Sequence, residues 1–316
     1  MSKERIGQVG LGTVGIHFAR RLMKANGQLI VLDLDRDKAR QAAQEGAEVA
    51  SSPKDLAARS DIVLLSLPSP EAVEAVVMGS NGLLEGARAG TLVIDSSTID
   101  PFTCRKVYDA AAARKVHYLD APVSSGAPGQ GGAEAAKAGS FTFLVGGDKV
   151  DFERAKPILE HLGNWFYHLG PPGSGSVMKL ISNHISGINT LAIAEGLVLA
   201  AAAGFSAERT LEVCQRTVAQ SYVMEDIVRP RVATRDFEPG FSVDLMHKDH
   251  RLAQDLGRRL NVPMLFNQVA LEVWQMIRSQ GRGHRDHTEC LKFLAELARV
   301  DLYNPAERTR AEAPAG

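Results

Sequence analysis

Along the first half of the chain, short runs of Val, Ile and Leu alternate with longer stretches carrying Ala, Lys, Arg and Glu at helical spacing. Residues 6–9, 29–32, 62–67 and 92–95 are too short for helices and are bounded by Gly, Pro, Asp or Ser, which predicts strands. Between them, 13–24, 36–45, 70–77 and 101–114 predict helices. Strands that are apolar throughout are covered on both faces, so this half reads as an α/β domain with a doubly wound parallel sheet. Residues 116–119 and 141–145 extend the strand pattern, and a helix at 151–161 with a strand at 165–168 closes it.

The pattern changes at Gly170-Pro-Pro-Gly-Ser-Gly175, where Gly and Pro break regular structure. Helices are predicted beyond it at 176–203, 207–215, 248–260, 265–278 and 287–298, with no convincing strand. The expected organisation is therefore a Rossmann-type domain over 1–170, an all-helical domain over 171–303 and a frayed polar tail over 304–316. The most apolar stretch, 185–203, contains Gly187, Asn189, Glu195 and Gly196, so it reads as a buried helix of a soluble protein rather than a membrane span. Glycines interrupt the apolar run near the N-terminus, which does not resemble a signal peptide.

Composition narrows the classes. The 316 residues carry 36 basic and 37 acidic side chains, and this balance argues against a nucleic-acid binder. The three cysteines form no CxxC pair, as expected in a reducing compartment such as the cytoplasm. His247/His250 and His284/His287 have HxxH spacing but lack a recognisable acidic or cysteine partner, so no metal site is expected.

One motif carries chemistry by itself. Gly10-Leu11-Gly12-Thr13-Val14-Gly15 matches GxGxxG after a predicted strand and at the start of a predicted helix. In that context the first glycine makes the turn, the second admits a pyrophosphate and the third packs helix on strand. Asp33 ends the second strand, where a carboxylate would accept hydrogen bonds from ribose hydroxyls and repel a 2′-phosphate. NAD is the expected cofactor; Arg36, within reach of a 2′-phosphate, keeps NADP possible.

Four further motifs stand in order: Asp95-Ser-Ser-Thr98-Ile-Asp-Pro101, Asp120-Ala-Pro-Val-Ser124-Ser-Gly126, Gly175-Ser-Val-Met-Lys179-Leu-Ile-Ser-Asn183 and Lys248-Asp249-His-Arg-Leu252-Ala253. With the glycine loop they span most of the chain, which thereby resembles the β-hydroxyacid dehydrogenase family, typified by 3-hydroxyisobutyrate dehydrogenase and tartronate semialdehyde reductase. The resemblance implies a Rossmann domain joined to an all-α domain by a long interdomain helix, and homodimers or homotetramers assembled through the helical domain. It implies an NAD-dependent oxidoreductase that interconverts a small 3-hydroxy acid and its semialdehyde or 3-oxo acid.

Residue by residue, Lys179 matches the family's catalytic lysine, and a lysine partly desolvated in a cleft can exchange the hydroxyl proton near neutral pH. Asn183, four residues on and on the same helix face, matches the asparagine that holds substrate. Ser124, Ser125 and Gly126 match the loop that binds the substrate carboxylate. Leu67, Pro68 and Thr98 match cofactor-contacting positions, and Lys248 the lysine that reaches over the nicotinamide.

The chain departs from the family pattern at Val14, Ala72, Ser125 and Ser182, and in a longer segment over 127–139, which reads as a surface loop that reshapes the substrate pocket. Two other functions remain on the same architecture. A non-catalytic oligomerisation module would have lost Lys179. An imine reductase would carry another residue there, commonly Asp or Tyr, and favour NADPH.

Overall fold

The computed structural model describes residues 4–125 and 132–305. The chain forms two compact units, Met1–Ile181 and Ser182–Gly316, and the division falls inside one long helix.

The first unit runs β1 (Ile6–Val9), α1 (Gly15–Asn26), β2 (Ile30–Leu32), α2 (Arg36–Gln44), β3 (Glu48–Val49), α3 (Pro53–Ala58), β4 (Ile62–Leu65), α4 (Pro70–Met78), α5 (Leu83–Gly86), β5 (Leu92–Asp95) and α6 (Pro101–Ala112). It continues with β6 (His117–Asp120), β7 (Val123–Ser125), α7 (Gly132–Ala138), β8 (Phe141–Gly146), α8 (Lys149–Leu159), β9 (Gly163–Gly170) and the start of α9 (Ser174–Ala202). The strands order as β3-β2-β1-β4-β5-β6-β8-β7, with β9 also on β8. Successive residues of each central strand point to opposite faces. Ile62, Leu64 and Ile94 therefore join the core around Phe18, Leu22 and Phe143, while Val63, Leu65 and Val93 join that around Leu56, Val77 and Val107.

Register is what positions the site. Val9 pairs with both Leu32 and Leu65, Leu65 with Asp95, and Asp95 with Asp120. Five parallel strands thus end in one row, and the segments beginning at Gly10, Asp33, Ser66, Ser96 and Ala121 all leave from the same edge. The order reverses at β1, flanked by β2 and β4, which makes the switch point where α/β sheets bind ligands.

Several elements differ from the sequence reading. The sheet is parallel-dominated but not wholly parallel: β8 runs antiparallel to β6 and β7. β3, α3, α5 and β7 are too short to show periodicity, and α1 begins at Gly15 rather than residue 13. Ser124 and Ser125 lie in β7, opposite Thr142 and Phe141, and not in a loop. The 127–139 segment is also not simply surface loop. Residues 132–138 form α7 with Ala135 and Ala136 buried, because alanines let the helix pack closely on the core that holds Phe18. Residues 127–131 and the tail from 306 lie outside the described residues.

The second unit contains the rest of α9, α10 (Ala207–Cys214), a π-helical turn (Val223–Val228), α11 (Arg229–Thr234), α12 (Val243–Arg259), α13 (Leu265–Ile277) and α14 (Cys290–Ala298). Their inward faces close around Trp274, Phe237, Phe293, Leu197 and Val228. α12 starts a full turn earlier than its apolar pattern suggested, because Ser242 caps it by accepting from Leu245 N.

The expectation of a buried α9 holds for one stripe only. Leu180, Ala194, Leu197 and Ala201 are buried, whereas Met178, Ile181, Ile185 and Leu199 are exposed. By length and composition α9 could cross a bilayer, with 28% of its most apolar window buried within the chain.

Candidate functional site

The glycine loop is held by backbone and by one buried amide. Gly10 has φ +96°, and a Cβ there would stand 2.2 Å from the Ser66 carbonyl oxygen, so no other residue fits without displacing β4's exit. A Cβ on Gly15 would meet the Gly10 carbonyl oxygen at 2.2 Å. Gln8, fully buried in β1, donates from Nε2 to the carbonyls of Gly10 at 3.1 Å and Gly15 at 2.6 Å, stapling the loop's two ends. Sequence reasoning missed Gln8 because its role depends on a side-chain contact with the Gly15 carbonyl seven residues away, across the turn.

Gly12 differs from its neighbours: a Cβ there would meet nothing within 4 Å. Among the described residues its smallness serves no contact, and it leaves open space above the loop. The N-terminus of α1 also stands apart. No side chain caps it and its first turn has no acid, whereas Asp35, Ser52, Ser69 and Asp100 cap α2, α3, α4 and α6. Ile16 N and His17 N donate to the Gly12 and Val14 carbonyls within the turn, but the positive dipole end of α1 carries no side-chain acceptor, and the open face over Gly12 fits a dinucleotide pyrophosphate.

Asp33 ends β2 with its carboxylate already oriented. Oδ2 accepts from Leu11 N at 2.6 Å and Oδ1 from Asp35 N at 2.8 Å. Each oxygen keeps a lone pair for a ribose hydroxyl. Leu67 N donates to Ser97 Oγ at 2.9 Å, which ties the 67–68 segment to the turn bearing Thr98. Pro68 is exposed and Thr98 half-buried. Below that turn, Asp95 accepts from Ser97 N at 2.9 Å and from the Tyr118 hydroxyl at 2.8 Å. Burial raises the Asp95 carboxyl to about 6.

Ser124 and Ser125 are half-buried on β7; Gly126 lies outside the described residues. Lys179 is only 7% exposed and Asn183 only 8%, burial that surface lysines rarely show. In the second unit the Asn183 amide is fixed: Nδ2 donates to Asp249 Oδ2 at 2.6 Å, which directs its carbonyl oxygen away from Asp249. Asp249, 1% exposed, also lies 3.2 Å from Lys248 Nζ through Oδ1. Asp249 stands within a motif that the sequence displays, yet its partner Asn183 is 66 residues away, so spacing gave no sign of the contact.

His184 is packed rather than open, with Nδ1 2.9 Å from Asn267 Oδ1. His250 is fully buried, and desolvation lowers its imidazole to about 4, so it is neutral at physiological pH. Among the described residues no group of three or more His, Cys, Asp or Glu comes together as a metal site.

Comparison with known proteins accounts for both units. Residues 5–170 match the NAD-binding domain of 6-phosphogluconate dehydrogenase, and 173–294 match the NAD-binding domain of NADP-dependent 3-hydroxyisobutyrate dehydrogenase. The chain is 33% identical to 2-(hydroxymethyl)glutarate dehydrogenase of Eubacterium barkeri, over 94% of this chain and 97% of that one. It is 34% identical to the NAD-dependent L-serine dehydrogenase of Pseudomonas aeruginosa, over 92% and 97% respectively. The solved 3-hydroxyisobutyrate dehydrogenase of Mycobacterium tuberculosis, determined with L-serine, superposes with a TM-score of 0.83 at 30% identity and covers 92% of this chain and 99% of its own. With a dinucleotide-binding α/β unit, a helical second unit and matches along nearly its whole length, the chain belongs to the β-hydroxyacid dehydrogenase family.

Proposed function

We propose that the protein is an NAD-dependent dehydrogenase of a small 3-hydroxy acid, with Lys179 as general acid/base. The observation that carries this is the lysine's burial at 7% exposure on α9, four residues before an asparagine whose amide Asp249 holds in one orientation. A desolvated lysine there suits proton exchange with a substrate hydroxyl.

The open loop at Gly10, Leu11, Gly12, Thr13, Val14 and Gly15, the uncapped α1 and Asp33 would hold the dinucleotide, with Leu67, Pro68 and Thr98 along its path. Asp33 supports NAD over NADP. Bound NAD supplies the acceptor for the hydride that leaves the substrate β-carbon. Lys179 would take the hydroxyl proton during oxidation and return it to the carbonyl in the reverse direction. The Asn183 oxygen, turned from Asp249, would accept a hydrogen bond from substrate. Ser124, Ser125 and Gly126 would bind the carboxylate through hydroxyl and amide donors. Lys248, beside Asp249, would keep the nicotinamide and substrate in place. The retention of Lys179 supports this reading over an imine reductase or a non-catalytic module.

Domain limits of 1–170 and 171–303 belong to the same proposal, as does the cytoplasm, whose reducing conditions suit three free cysteines. Homodimers or homotetramers would form through the helical unit, where Leu265, Phe266 and Val269 are exposed on α13. Phe266→Glu is expected to lower the mass seen by light scattering, and an unchanged mass removes that face from the interface.

The test of function is an initial-rate panel with NAD and NADP against 3-hydroxyisobutyrate, 2-(hydroxymethyl)glutarate, L-serine, glycerate and 4-hydroxybutyrate. Lys179→Ala should lower kcat about 100- to 10,000-fold on the best member while NADH still binds. Wild-type turnover by the variant would remove Lys179 from the mechanism.

A further inference from the structure

The first turn of α9 is held by a side chain with no role so far. Asp120 ends β6 and is 1% exposed. Its Oδ1 accepts from Gly173 N at 2.7 Å and its Oδ2 from Ser176 N at 2.8 Å. Amides at a helix start have no partner within the helix and carry the positive end of its dipole, so a carboxylate is their strongest acceptor. Both oxygens act as acceptors, an arrangement that suits the anion. Burial pulls the other way and raises the Asp120 carboxyl above its ordinary value.

The surroundings leave this helix start no room to shift. A Cβ at position 146 would stand 2.5 Å from Asp120 Oδ1, and one at position 175 would stand 2.1 Å from the Leu144 carbonyl oxygen. Two glycines thus let the end of β8, the Asp120 carboxylate and the first turn of α9 interlock. Ser176 is also gripped through its hydroxyl, 3.1 Å from Cys104 Sγ on α6. Lys179 follows Ser176 by three residues, a rise of about 4.5 Å along a rigid helix.

We propose that Asp120 is a positioning residue of the reaction: it pins the first turn of α9 to the ends of β6 and β8 and so sets where the Lys179 ammonium stands. The inference rests on the reading of Lys179 as general acid/base. A displacement of about 1 Å at a catalytic group is enough to lower turnover strongly while leaving distant binding contacts intact.

The test places Asp120→Asn and Gly175→Ala beside Lys179→Ala in the full-length chain, with NAD and the best-oxidised acid of the panel above. In Asp120→Asn, kcat should fall at least about 10-fold, with the primary deuterium isotope effect on kcat increased as the chemical step slows. The KM for NAD and the NADH dissociation constant, read by fluorescence, should stay within about twofold because the glycine loop is untouched. Turnover within twofold of wild type overturns the inference, as does loss of NADH binding in step with kcat, which marks a general structural role. If Asp120→Asn does not fold, Gly175→Ala decides by the same criteria, since its methyl pushes the helix start from the Leu144 and Asp120 carbonyls while the Asp120 carboxylate is kept. A fully active Lys179→Ala, or a wild type that oxidises no member, overturns the functional reading and this inference with it. An inactive Lys179→Ala beside normal Asp120→Asn removes Asp120 alone.

Discussion

The two units hold their candidate residues in opposite ways. In the first, the groups proposed to hold the cofactor come from backbone at strand ends: the Gly10–Gly15 turn, the uncapped start of α1 and the segments leaving β2, β4 and β5 in one row. In the second, side chains from separate helices meet: Asn183 of α9 with Asp249 of α12, and His184 of α9 with Asn267 of α13. A backbone-built site needs only strand register and a few glycines. A side-chain-built site needs its helices packed correctly first, so its chemistry and its folding cannot be separated. Even the buried titratable groups contrast. Asp95 in the first unit is an acid pushed up to about 6, and His250 in the second is a base pushed down to about 4, burial disfavouring the charged form in each.

The largest effect expected sharpens the backbone half of this comparison. Gly10→Val must abandon a left-handed backbone and clear the Ser66 carbonyl, so it should cost about 3 kcal/mol or more and shift the melting temperature accordingly. The Cβ of Gly12→Val meets no described atom within 4 Å, so the melting temperature should barely move while the KM for NAD rises at least about 100-fold. Equal losses of stability in both variants would dissolve the distinction between a folding glycine and a binding glycine.

Next in size are opposed pH dependences. A raised carboxyl means that the folded state holds its proton longer than the unfolded chain. The Asp95 contribution is therefore full below its ordinary 3.8 and is lost as pH rises through about 6. A lowered imidazole reverses the sign: the His250 contribution is full above its ordinary 6.5 and is lost as pH falls through about 4. Each amounts to roughly 3 kcal/mol at its limit. In urea unfolding between pH 4 and pH 7, the stability of Asp95→Asn relative to wild type should climb with pH. That of His250→Leu should climb as pH falls. Parallel slopes for the two variants would show that these groups do not titrate with folding.

The smallest effect concerns capping. Asp100 accepts from Phe102 N and Thr103 N at the start of α6, so Asp100→Ala should lower stability by about 1 kcal/mol and leave NADH affinity unchanged. A drop in NADH affinity as large as that of Gly12→Val would mean that capped and uncapped helices of this sheet are not functionally distinct.

Legibility followed the same division. The Gly10–Gly15 loop and Asp33 could be read because local spacing alone places them on a strand end, a turn and a helix start. Lys179 and Asn183 could be proposed because four residues make one helical turn. The five motifs together carried the family. Gln8, Asp120 and Asp249 were in plain view, two of them inside quoted motifs, but each acts on a partner that the fold brings near. The Gly175 notch, the antiparallel β8 and the helix in 132–138 were equally invisible to periodicity.

The sequence by itself determined the order of the longer strands and helices, the dinucleotide turn and the helix that carries Lys179 and Asn183, because these depend on steric preferences and periodicities within a few residues. Only the tertiary structure decided that Asp120 grips the start of α9, that Asp249 orients Asn183, that Gln8 staples the glycine loop and that much of α9's apolar surface stays uncovered by its own chain. Such contacts join groups brought together by register and packing, and hydrogen bonds act over about 3 Å whatever the distance along the chain.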